Sequence, residues 1–100
     1  MTDYVNQHFK AFPGRHVRPH ILCKSGLKLS VQASEAHYCL PRETGSWPYS
    51  CVEVFIITPV RLPKEWRPFR AEKASDNMLF MNVPISLVNV LIEKNGGVAF

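Results

Sequence analysis

The chain contains no apolar run near the length of a membrane-spanning helix, so no membrane-spanning segment and no membrane contact is expected. Its first residues, Met-Thr-Asp-Tyr-Val-Asn-Gln, hold neither a basic n-region nor an apolar h-region, so no secretory leader is expected. Cysteine is scarce. Cys23, Cys39 and Cys51 are odd in number and far apart, with no Cys-x-x-Cys pair. That argues against a secreted disulfide framework and for a reducing cytosol. It also argues against structural zinc, as does Pro19, which keeps His16 and His20 off a shared helical face. No metal ligand set and no cofactor is expected. The acids Glu35, Glu43, Glu53, Glu65, Glu72, Asp76 and Glu93 form no recognisable pair, and there is no Gly-rich phosphate loop or Walker lysine. His37 stands near Cys39, yet nothing orients it as a base. No catalytic residue is assigned, and an enzyme is not expected. Charge of one sign is also in short supply. A formal net charge of +4 over 100 residues suits contact with polyanions but does not by itself imply nucleic acid.

What is present is a single domain's worth of chain with 46% apolar and 20% charged residues, ordinary for a globular protein. Residues 1–19 read as an N-terminal arm or short helix. Thr2 or Asp3 caps it, Tyr4, Val5, His8, Phe9 and Phe12 share a face, and Pro13-Gly14 stops it. A helix this short must dock, either on its own domain or on a partner. Residues 20–57 read as a hairpin and a central strand. Leu27, Leu29, Val31 and Ala33 alternate with Lys28, Ser30 and Gln32, Ser25-Gly26 makes the turn, and Cys51 to Ile57 is nearly continuously apolar. Between them, 34–50 reads as a long loop. Residues 78–100 read as a strand over 78–82 and a C-terminal helix. Pro84 lies in the helix's first turn, Ile85, Leu87, Val88, Leu91 and Ile92 form its apolar stripe, and Asn95-Gly96-Gly97 caps it in left-handed geometry. The expected fold is α+β: a small antiparallel sheet of three to four strands with a C-terminal helix, plus a Pro-rich extended insertion.

That insertion, 58–77, carries the functional expectation. Pro59, Pro63 and Pro68 forbid a regular helix or a central strand. Arg61, Lys64, Arg67, Arg70 and Lys73 recur every third residue, the polyproline II period, so an extended segment would present them on one ridge. Trp66, Arg67, Phe69 and Arg70 are residue types enriched at binding hot spots, and prolines such as Pro68 lower the entropy lost on docking. The expectation is a protein-binding surface of Arg61, Lys64, Trp66, Arg67, Pro68, Phe69, Arg70 and Lys73. A different class remains open: a single-strand nucleic-acid binder using this ridge and a second basic strip of Arg15, Arg18, Lys24 and Lys28, with aromatics for stacking. A third is a prophage structural or assembly subunit using the aromatic N-terminal helix. Trp47-Pro48-Tyr49 and Arg67-Pro68 hold X-Pro bonds whose isomers the sequence leaves open, and either is a candidate handle for a host prolyl isomerase.

Ser30-Val-Gln-Ala-Ser34, Tyr38-Cys-Leu-Pro-Arg42, Tyr49 and Val52-Glu-Val54, with Val83-Pro84 and Ile92-Glu-Lys-Asn-Gly-Gly97, resemble a pattern in small early-region proteins of lambdoid and other tailed phages. The similarity spans residues 20–57 and 83–98 and contains no catalytic motif. The pattern departs after Val54, where Phe55-Ile-Ile57 and then the basic proline segment follow. Among proteins of such regions, size, charge and organisation are similar to those acting against the host RecBCD nuclease. The resemblance implies a phage-encoded, non-enzymatic modulator in the cytoplasm of the host bacterium, binding RecBCD and altering its action on DNA ends. An anti-CRISPR-like inhibitor has the same appearance. A DNA mimic would be strongly acidic; this chain is basic, so docking on protein is expected, with any nucleic-acid contact indirect.

Overall fold

The computed structural model describes residues 2–12, 17–34, 37, 39–40, 48–58, 60–71 and 78–99. In chain order they form α1 (Tyr4–Ala11), β1 (Ile21–Leu22), β2 (Lys28–Gln32), β3 (Cys51–Ile56), a 3-10 helix (Lys64–Phe69), β4 (Leu79–Pro84) and α2 (Ile85–Lys94). The four strands make one antiparallel sheet in sequential order, and the fold is α+β as expected. Among the described residues, no helix is long and apolar enough to cross a membrane.

Alternation builds the core. Leu29 and Val31 of β2, Val52, Val54 and Ile56 of β3, and Phe80 and Val83 of β4 are buried and meet Val88, Leu91 and Ile92 of α2. At Gly26 the backbone adopts φ 97°, while the Gly26 amide donates to the Cys23 carbonyl (2.9 Å) and the Cys23 amide to the Leu27 carbonyl (2.8 Å), closing the β1–β2 hairpin. β4 runs two residues further than its composition suggests and passes directly into α2, with Pro84 as the N-cap rather than inside the first turn. A bulge lies opposite Glu53, because Val52 pairs with Val83 but Val54 with Phe80. Asn82 absorbs it at φ 52°, a left-handed conformation that Asn tolerates better than most residues.

α1 docks on its own domain through side-chain amides. Asp3 Oδ1 accepts from the Asn6 amide (3.1 Å), and Asn89 Oδ1 on α2 accepts from the Val5 amide (3.1 Å). Two amides that the helix start leaves without intrahelical partners are thereby satisfied. Asn89 Nδ2 returns a bond to Asp3 Oδ1 (3.1 Å), and Asn6 exchanges two bonds with the backbone of Tyr49 (2.7 and 3.1 Å). Val5 and Phe9 are sealed beneath, with Phe9 edge-on to Tyr49 at 5.1 Å.

The outer strand β1 is covered, and β4 is covered at its Leu79–Phe80 end. Beside β1, Cys23 bridges Val98, the Lys24 amide donates to Gly97 O (3.0 Å) and the Ala99 amide to Leu22 O (2.8 Å). Beside β4, Arg70 bridges Phe80 and the Ala71 amide donates to Leu79 O (2.9 Å). Covered edges leave little template for adding a strand from another chain.

Candidate functional site

The segment expected to be extended is coiled instead. Pro63 takes an extended conformation (φ −57°, ψ 151°), after which Lys64–Phe69 winds into a 3-10 helix. The Trp66 amide donates to the Pro63 carbonyl (3.1 Å) and the Arg70 amide to the Arg67 carbonyl (3.2 Å). Pro68 lacks an amide, a small loss in so short a helix. The physical reason for the correction is Trp66. Its indole is 1% exposed, packed edge-on against Phe80 at 5.3 Å, and an extended chain would have left it in water. A 3-10 helix also repeats every three residues, so the period read from the sequence survives in a different helix. Lys64 and Arg67 share the outer side with Arg70 one step beyond, while Trp66 and Phe69 face inward.

The eight expected contact residues therefore separate. Arg61, Lys64, Arg67, Pro68 and Arg70 are exposed. Trp66 is withdrawn from the contact surface, and Phe69 is half-buried against the core, so the aromatic anchors are structural. Lys73 lies outside the described residues, as does Pro59. In the second basic strip, Lys24 and Lys28 are exposed, Arg15 lies outside the described residues, and Arg18 is 1% exposed. The Arg18 guanidinium sits 4.6 Å from the Phe9 ring centre and donates through Nη1 to Ala33 O, while Nε and Nη2 have no partner among the described residues.

Residues that the sequence reading passed over complete the site. Behind the cationic ridge is an open hollow of about 180 Å³. Leu62, Pro63, Trp66, Met78 and Phe80 line it, and Val60, Arg67 and Arg70 stand at its mouth. A smaller hollow of about 70 Å³ lies on the other side of Trp66, between the 3-10 helix and Leu87, Val90 and Leu91 of α2. Only the apolar spelling of 60–63 and 78–80 hinted at the floor, and nothing local brings those stretches together.

Other chemistry-bearing groups lie elsewhere. Ser34 Oγ is 2.6 Å from His37 Nδ1, and His37 Nε2 is 4.0 Å from Glu53 Oε2. Ser34 is fully buried, and Cys39 Sγ donates to the Ser34 carbonyl (3.2 Å), while His37 meets Ser34 and Glu53. Among the described residues, no group of three or more His, Cys, Asp or Glu is placed to hold a metal ion. Cys23 and Cys39 are buried thiols, and burial pushes the Cys23 thiol above its ordinary 9.0. A polar hollow of about 390 Å³ lies between α1 and the C-terminal cap, beside Tyr4, His8, Lys24 and Gly97. Tyr4 donates there to Glu93 at 2.6 Å, which raises its pKa above 10.0. Tyr49 packs on Phe9 and Pro48 is exposed; Trp47 lies outside the described residues.

Comparison with protein-family models, with curated proteins and with solved structures finds no match.

Proposed function

We propose that this protein is a phage-encoded, non-enzymatic modulator that docks on a host protein machine through the outer side of residues 60–70, with the RecBCD nuclease as the partner. The observation that carries the reading is the ridge of Arg61, Lys64, Arg67 and Arg70, exposed and without ion pairs among the described residues, beside an apolar hollow. Free cations at a rim steer encounter with an acidic surface, and an apolar centre supplies affinity. Covered sheet edges favour recognition by side chains over strand addition. The phage assignment and RecBCD itself rest on the sequence resemblance.

The test is RecBCD degradation of linear duplex DNA with the protein added. The wild type is expected to change the rate or extent of degradation, and a double charge reversal, Arg67→Glu with Arg70→Glu, is expected to remove the effect without changing the fold. Unaltered degradation with the wild type, or an equal effect from both proteins, overturns the proposal.

A further inference from the structure

We infer that the hollow beside the ridge takes one aliphatic side chain from an acidic segment of the partner protein, an inference that rests on reading the ridge as the docking surface. Size comes first. A dry cavity of roughly 150 Å³ admits a benzene-sized group. The hollow here is about 180 Å³, and five apolar side chains line it. Its walls are already set. Trp66 is held edge-on to Phe80, and Arg70 is tied to β4 by its bridge to Phe80 and by the neighbouring Ala71 amide. A preformed slot loses little entropy when filled.

The mouth specifies the flanking chemistry. Arg67 and Arg70 stand at it with Val60, which is 37% exposed. Among the described residues, no carboxylate lines this hollow; Glu65 lines the smaller one. Carboxylates either side of an aliphatic residue would meet both arginines, and guanidinium groups bind carboxylates by paired hydrogen bonds. A single strand of nucleic acid fits less well. Its bases need an exposed aromatic face, and the two aromatic residues lining the hollow, Trp66 and Phe80, are 1% and 4% exposed. A second copy of this chain would bring the same cations against themselves.

The experiment titrates the full chain into fluorescein-labelled peptides and follows anisotropy, with the Trp66 indole N–H resonance as a local reporter. One peptide carries a single leucine flanked by aspartates and glutamates, and its control replaces the leucine with serine. Labelled oligothymidylate is the third probe. The leucine peptide is expected to bind about tenfold more tightly than the serine peptide, the worth of burying most of one aliphatic side chain. Only the leucine peptide should shift the Trp66 resonance. Val60→Asp, at the mouth and outside the core, should erase the preference. Equal affinity for the two peptides overturns the inference while leaving the ridge as a docking surface. So does failure of both peptides while purified RecBCD still binds. Failure of the peptides and of RecBCD removes the inference together with the docking surface. Tighter binding of oligothymidylate than of the leucine peptide overturns it in favour of nucleic acid.

Discussion

Trp66 and Arg67 are neighbours with opposite duties. Trp66 is sealed against Phe80, and truncation to Ala should leave a cavity and cost about 3–5 kcal/mol, a large share of a small domain's stability. Arg67 is exposed, and Arg67→Ala should stay within about 0.5 kcal/mol of the wild type. Urea unfolding of both variants tests the split. A mild Trp66→Ala would mean that the indole is not in the core. Arg18 presents the opposite case, a charge taken out of water with Nε and Nη2 unpartnered among the described residues. Such a burial costs several kcal/mol, only partly offset by the Phe9 ring and the Ala33 carbonyl. Arg18→Met keeps the stem's packing and discards the charge, so its unfolding midpoint should equal or exceed that of the wild type. A clear loss of stability would show that the guanidinium is satisfied in solution.

At the scale of elements, several of the polar contacts that hold α1 converge on one residue. Asn89 serves both the Val5 amide and Asp3 Oδ1. Asn89→Leu would strand a buried amide and is expected to cost about 1–3 kcal/mol, with the loss of hydrogen-exchange protection concentrated in α1. Uniform loss across α1 and the sheet would instead mean that the helix does not open separately. The elements also show where a sequence can be read. β2 was legible because alternation has one structural meaning, β3 because its run is β-branched and nearly continuously apolar, and α2 because Pro84 and Gly96-Gly97 bracket its stripe. The 60–70 segment was legible only in part. A three-residue period belongs equally to polyproline II and to a 3-10 helix, and what separates them is whether Trp66 finds Phe80, a contact across the fold. The same holds for the hollow, whose walls come from two separate stretches of chain, and for the Asn82 bulge, which depends on register with β3.

Across the whole molecule, acid should weaken the fold in two stages. Burial holds the His8 pKa below its ordinary 6.5, with Arg18 acting in the same direction and the Pro19 carbonyl against it. The unfolded chain then takes up the proton more readily than the folded one, so stability falls as pH drops from about 6.5 toward the folded value. For Asp3, burial acts to raise the carboxyl pKa, but hydrogen bonds from the Asn6 side chain, the Asn6 amide and Asn89 outweigh it and hold the group below its ordinary 3.8. Its contribution is present above that value and is lost as pH falls through the folded one. Thermal melts from neutral pH to pH 3 should show both declines, with the first absent in His8→Asn. A first decline that persists in that variant would assign it to another group.

On the proposed reading, a net charge of +4 and a cationic ridge without ion pairs among the described residues suit a partner met through cations around an apolar slot. The most direct test is the affinity of purified RecBCD for the wild type and for the Arg67→Glu, Arg70→Glu variant at low and at physiological salt. The account predicts wild-type binding that weakens with salt and at least a tenfold loss in the variant, about 1.4 kcal/mol. Equal binding by the two proteins, or none by either, would contradict it.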